Sequence, residues 1–375
     1  MILLNPGPAN TTETVKQAMT RPDICPRERE FGDLMGRVRD GVTRVVTKSL
    51  DYTSVLFAGS GTAGVEAAIA SAVPASGHLL VIENGSYGAR MAQIAQAYGM
   101  RCAVESCGVG SYPDVERIAA RIAQAEESHH RYTHVAVVHH ETSTGMMNPV
   151  EAISALCQRY GIELIVDAMS SYAGIPIDIE RLGADFLISS SNKCIQGMAG
   201  LAFVICRRER VERMQHIPGR SYYLSMAAQH RFFEREHQMQ FTPPVQVLYA
   251  LEQALIEYEA EGGEARHARY LANWQALDGG VRALGFRRLL PEAILSRILT
   301  AYLEPDHPRY SFDDMHDRLY AQGFTIYPGK GANRASFRLA NMGAVTPDDM
   351  QAFVAALAKT LKDMGIDPLY STQEG

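Results

Sequence analysis

Lys193 ends the run Ser189-Ser190-Ser191-Asn192-Lys193, behind small hydroxyl residues and ahead of Gly197 and Gly200, whereas a surface lysine normally sits among other charges. An amine that is buried, or set beside a cation, loses basicity and becomes a nucleophile toward carbonyls. Asp167 closes the largely apolar run Ile162-Glu163-Leu164-Ile165-Val166, 26 residues before Lys193. A carboxylate there is expected at a sheet edge rather than in the core, where it can partner a cationic ring nitrogen. Gly59-Ser60-Gly61-Thr62 leads straight into an alanine-rich stretch. Glycines allow close backbone approach, and the N–H groups of a helix N-terminus attract phosphate. The spacing is neither a Walker A loop nor a clean G-x-G-x-x-G. Arg338, in Ala335-Ser336-Phe337-Arg338-Leu339, offers a planar fork that grips a carboxylate with two bonds. Each feature alone has a plain structural reading: a solvated lysine, a turn aspartate, a tight strand–helix turn, a salt bridge. The combination is what points to a covalent amine site, with one strand–helix–strand crossover between Asp167 and Lys193.

The elements that must position these groups alternate. Apolar runs predict strands over Tyr52–Phe57, His78–Glu83, His134–His140, Ile162–Val166, Asp185–Ser189 and Leu201–Cys206, and helices over 63–73, 87–98 and 150–160. Helices are also expected at 12–19, capped by Thr11 or Thr12, and at 33–49. Such alternation means βαβ units and a mostly parallel sheet covered on both faces. Ligands of an open α/β sheet bind beyond the carboxyl ends of its strands. Ser60, Gly61 and Thr62, the segment Asn84–Tyr87, Thr142, Asp167 and the Lys193 loop all follow predicted strands, so they should converge on one edge.

The pattern changes near residue 250: helices at 245–260, 264–284, 311–322 and 346–364, with strands at 296–303 and 335–340. This is the mix of a smaller α+β domain. The expected division is an N-terminal arm, 1–20, lining the active site, a large cofactor-binding domain, 21–258, and a small C-terminal domain, 259–375.

A formal charge of −6, with no Lys/Arg run, gives no footing for nucleic acid. The longest apolar stretches are far short of the roughly 20 residues a membrane span needs. The opening MILLNPGPAN has neither the basic nor the long apolar region of a secretory signal. None of the six cysteines has C-x-x-C spacing, so no metal site is expected, and reduced thiols in a cytoplasmic protein are.

Lys193 in "SSSNKCIQG", Asp167 in "VDAMSSYAGIPID", "HHETSTGMMNP" and the opening "NPGP" together resemble the 2-aminoethylphosphonate–pyruvate transaminases. These belong to the alanine–glyoxylate and serine–pyruvate aminotransferase group of fold-type I pyridoxal 5′-phosphate (PLP) enzymes. The likeness runs from Leu3 to about residue 345. It implies an α/β fold-type I transferase with PLP as cofactor, acting as a homodimer with shared sites. Lys193 would bond to the cofactor aldehyde and shuttle a proton, and Asp167 would pair with the ring nitrogen. Ser60, Gly61 and Thr62 would bind the cofactor phosphate, Tyr87 would stack on the ring, and Thr142 would contact its O3′ side, with Asn192 in the same cofactor-binding set. Thr242, in "QFTPP", would reach the phosphate in the neighbouring subunit. Arg338 would hold the carboxylate of pyruvate or alanine. The segment "DICPREREFGDL" departs from the Trp/Asp-rich stretch of many degradative members and is more like biosynthetic ones. It implies that Arg27 or Arg29 helps bind a phosphonate, with amination of phosphonoacetaldehyde as the working direction. Rival readings are an alanine- or serine-using aminotransferase, a PLP lyase or cysteine desulfurase, and a nucleotide-dependent or plain binding protein.

Overall fold

Seven strands build the main sheet: β1 (Tyr52–Ala58), β2 (Leu79–Glu83), β3 (Cys102–Ser106), β4 (His134–Val138), β5 (Glu163–Asp167), β6 (Phe186–Ser190) and β7 (Leu201–Arg207). The computed structural model describes residues 1–330 and 334–366 and orders these strands β1-β7-β6-β5-β4-β2-β3. β7 runs antiparallel to both neighbours, and the other pairings are parallel. Six strands therefore share one direction, and their carboxyl ends share one rim.

Strand residues alternate between two buried layers, as a period of two requires. From β7, Leu201, Phe203 and Ile205 enter one layer, and Val204 and Cys206 the other. The first layer is closed by the helix Arg29–Arg44, whose Phe31, Leu34, Met35, Val38 and Val42 fall on one helical stripe, and by Val150–Tyr160 and Val245–Glu261. The second is closed by the helices Gly61–Ala72 and Ser86–Ala97. Gly64 brings the first of these close to the sheet: a Cβ there would stand 3.0 Å from Ile188 and 3.1 Å from Ala202.

A separate three-stranded antiparallel sheet joins Leu299–Leu303, Ser336–Ala340 and Tyr327–Pro328. Helices Gly263–Ala283, Phe312–Ala321 and Pro347–Asp363 supply its core around Leu277, Met315, Phe337 and Phe353. The start of the chain belongs to this body. Ile2–Leu3 pairs in parallel with Phe324–Thr325, and Leu4 is fully buried in the same core.

The six expected strands of the main sheet appear within one or two residues of their expected bounds, save that His134–His140 stops at Val138. The seventh, β3, and the helices Val115–Glu127 and Met226–Glu236 have no counterpart among the sequence expectations. β3 is an edge strand and its first three residues are only partly buried, so its apolar pattern is weak. The helix expected at 33–49 runs instead from Arg29 to Arg44. Beyond it, the Thr47 hydroxyl accepts the Ser49 N–H at 3.0 Å, a side-chain bond that favours a turn over another helical residue.

Candidate active site

Asp167 and Lys193 come from adjacent parallel strands. β5 pairs with β6 at Asp167↔Ile188, and Lys193 follows three residues after β6 ends. Asp167 lies at the carboxyl end of the central strand, not at an exposed edge, and only 5% of its surface is exposed. One carboxylate oxygen accepts the Met169 N–H at 2.9 Å. Among the described residues no lysine or arginine lies within ion-pair distance of it. Burial pushes its pKa up to about 6, against the Met169 bond and the more distant charges of Arg90 and Lys193.

Burial likewise lowers the Lys193 pKa, against the pull of Tyr87, Cys194 and Asp167. Its Nζ donates to the Pro6 carbonyl at 2.5 Å. Gly7, at φ +119°, lies so close that any side chain there would overlap Lys193. The opening "NPGP" is thus laid across the amine. Cys194 is no second nucleophile: it is fully buried, its thiol is pushed up to about 12, and its Sγ donates to the Ser170 carbonyl.

Around this pair stand the other expected groups. Tyr87 opens the helix Ser86–Ala97. Burial alone would raise its phenol, but a bond with Thr142 and the cations Lys193, Lys330 and Arg338 outweigh that and lower it. Arg338 reaches in from the smaller sheet. It is 4% exposed and donates to the carbonyls of Pro328 at 3.0 Å and Thr142 at 3.2 Å. Ser60 caps the helix Gly61–Ala72 without spending its side chain on the cap. A Cβ on Gly61 would collide with Met169, two residues past Asp167. Asn192 is tied locally: its Oδ1 accepts the Ser190 hydroxyl at 2.9 Å, and its carbonyl accepts the Ala9 N–H at 3.0 Å.

Three expected residues make their contacts elsewhere in the chain. Arg27 donates to Gln238 Oε1 at 3.0 Å and to the Met239 carbonyl at 2.9 Å. Arg29 is nearly all in solvent, 3.9 Å from Asp33. Thr242 is exposed, in the loop that Arg27 holds. Its neighbour Phe241 stacks on Tyr223, whose hydroxyl donates to Ala58, just before the Gly59-Ser60 turn.

Glu141 and Arg90 belong to the site without having been singled out in the sequence. Glu141 is fully buried and accepts the N–H groups of Tyr87, Gly88 and Ser143, so it pins the helix end that carries Tyr87. A carboxylate inside "HHETSTG" was the available signal. Arg90 donates to the Thr62 hydroxyl at 3.0 Å and lies 4.9 Å from the Tyr87 ring centre. It stands three residues after Tyr87, one helical turn along the same face.

Residues 10–309 match the family model for class-V aminotransferases. The chain belongs to that family. A 2-aminoethylphosphonate–pyruvate transaminase of Syntrophobacter fumaroxidans is 46% identical over 368 residues, covering 97% of each chain. One from Vibrio vulnificus is 45% identical over 363 residues, 96% of this chain and 97% of its own. Among solved structures, the ureidoglycine–glyoxylate aminotransferase of Bacillus subtilis superposes with a TM-score of 0.88 at 25% identity, over 99% of this chain and 95% of its own. The fold is that of the fold-type I transferases, and the cofactor is PLP. The rim fits that group. A buried carboxylate with no ion-pair partner among the described residues could take a protonated ring nitrogen, an amine of lowered basicity stands beside it, and a helix N-terminus with an unspent serine lies on the same rim.

Without cofactor, the Asp167 carboxyl titrates near 6 in the folded chain and near 4 when unfolded. Between those values the folded chain keeps a proton that the unfolded chain has released, so stability falls as pH rises through the window. The cofactor-free Asp167→Asn protein should therefore be more stable than its parent at pH 7 by roughly 1–3 kcal/mol, the gap closing by about pH 4. Urea melts at both pH values check this, and a gap of constant size contradicts it.

Proposed function

We propose that this protein transfers an amino group reversibly between 2-aminoethylphosphonate and pyruvate, giving phosphonoacetaldehyde and L-alanine, with PLP as the carrier. The observation that carries the reading is near-full-length identity of about 45% to transaminases of that name, in a chain whose fold gathers Lys193, Asp167, Tyr87 and Arg338. When bound, PLP supplies an aldehyde that takes up the amino group and a ring that withdraws electrons. The protein's part is placement and proton transfer. Asp167 would pair with the ring nitrogen and favour its charged form. Lys193 Nζ, its charge disfavoured by burial, would be the base that holds and moves the proton of the substrate carbon next to nitrogen. Arg338 grips the carboxylate of pyruvate or alanine. Ser60, Gly61 and Thr62 would hold the cofactor phosphate, Tyr87 would stack on the ring and Thr142 would contact its O3′ side, with Asn192 in the same cofactor-binding set.

The reading includes the division into an arm, 1–20, a cofactor-binding domain, 21–258, and a small domain, 259–375. It also includes a homodimer in which Thr242 serves the neighbouring subunit's phosphate. The exposed Tyr222, 83% accessible, packs on Phe241 beside Thr242 and supports an interface there. A cytoplasmic setting agrees with six free cysteines, and no described helix is long and apolar enough to cross a membrane.

Adding 2-aminoethylphosphonate to the PLP-loaded protein should bleach its visible band, and pyruvate should restore it. A band that answers to alanine or serine but not to the aminophosphonate would overturn the substrate assignment. Arg27→Ala and Arg29→Ala, assayed one half-reaction at a time, should weaken the aminophosphonate step more than the alanine step if either arginine meets the phosphonate. Equal losses count against that role.

A further inference from the structure

Lys193 is held by its backbone on both sides. The arm's Ala9 N–H bonds the Asn192 carbonyl at 3.0 Å. On the other side, the Cys194 carbonyl accepts Arg266 Nη1 at 3.1 Å and the Tyr270 hydroxyl at 3.3 Å. Both partners stand on the helix Gly263–Ala283, over 70 residues away in sequence, and both are almost wholly buried.

A phenol has one proton to give and two lone pairs to fill. Tyr270 spends all three. Its proton goes to the Cys194 carbonyl; it accepts Gln196 Nε2 at 2.7 Å and the Gly343 N–H at 3.1 Å. Gly343 lies five residues past Arg338, in the turn that ends the Arg338 strand. The same turn is held to the same helix by Asn341 Nδ2 on the Tyr270 carbonyl at 2.8 Å and by Arg269 Nη1 on the Gly343 carbonyl at 2.8 Å. Glu261 braces both guanidinium groups, taking Arg266 Nε at 2.6 Å and Arg269 Nε at 2.7 Å. The arm closes the ring, since the Ala344 N–H bonds the Asn10 carbonyl at 2.9 Å and Lys193 Nζ bonds that of Pro6.

We infer that Tyr270, with Arg266, is a positioning residue that locks the backbone carrying Lys193 to the turn behind Arg338, fixing the distance between the amine that moves the proton and the arginine that grips the carboxylate. Packing alone needs no phenol hydroxyl, because a phenylalanine would fill the same volume. What the hydroxyl adds is a common junction for two loops drawn from different sheets. A buried junction of this kind loses its order when one member is removed, and displacements near 1 Å in a reacting site cost about 10²-fold in rate. The inference rests on Lys193 as the cofactor-bearing amine.

Tyr270→Phe, made in the full chain and loaded with PLP, tests it. The variant should keep its cofactor and far-UV spectrum while kcat falls roughly 10- to 100-fold in both half-reactions. The pH midpoint of the visible band should move, because the surroundings of the Lys193 nitrogen have changed. A variant with a lower Tm but the parent's kcat and midpoint would overturn the role, since loss of packing alone gives that pattern. If the variant does not fold, Gln196→Met decides by the same readouts, as it keeps the phenol and removes one of its partners. Unchanged kcat and midpoint there overturn the inference. A parent protein whose cofactor, trapped by borohydride, is found on a lysine other than Lys193 would sink the Lys193 reading, and this inference with it.

Discussion

The Asp167 carboxylate is held out of water with a backbone N–H to offset its charge and, among the described residues, no lysine or arginine in contact. An arrangement so unfavourable by itself persists because the surrounding fold over-determines it. β5 lies at the middle of the sheet with strands on both sides, so the residue that ends it cannot turn outward. Burial that disfavours a charged carboxylate also disfavours a charged amine, and Lys193, three residues past the end of the next strand, feels it. Both groups are thereby prepared for a partner that brings a positive nitrogen and a carbonyl carbon together. Six strands that point the same way, β1 set apart from the other five by the antiparallel β7, deliver Ser60, Tyr87, Thr142, Asp167 and Lys193 to the same rim.

The protein is acidic overall, with a formal charge of −6, yet its site is cationic. Lys193, Lys330 and Arg338 all act on Tyr87, and Arg90 lies against its ring. The two carboxylates among them, Asp167 and Glu141, are buried, and burial raises the pKa of both. The field a ligand meets is set by these near groups and not by the sum over the surface. That suits the proposed reaction, whose cofactor and both substrates carry anionic groups. It also explains why Glu141 is spent on backbone N–H groups: facing the ligand, it would repel it.

Much of this was legible in the sequence because the main sheet is built from continuous apolar runs, and polar residues following them can sit only at strand ends. Asp167, Lys193 and the Ser60 turn were found that way. Arg338 was legible as an arginine within a strand pattern. What escaped was set by contacts distant in sequence. Arg266 and Tyr270 look like ordinary residues of a long helix, and nothing local announces that they meet the Cys194 carbonyl. β3 was lost because an edge strand need bury only part of itself. Arg27 is expected from the sequence at a phosphonate, and the structure ties it to the loop bearing Thr242.

The central claim is that one lysine, Lys193, holds the cofactor through its own nitrogen. Borohydride reduction of the PLP-loaded protein followed by peptide mapping tests it most directly. The account predicts a single pyridoxyl-modified lysine, in the peptide carrying Ser189-Ser190-Ser191-Asn192-Lys193-Cys194. Label on a different lysine, or scattered over several, would contradict it.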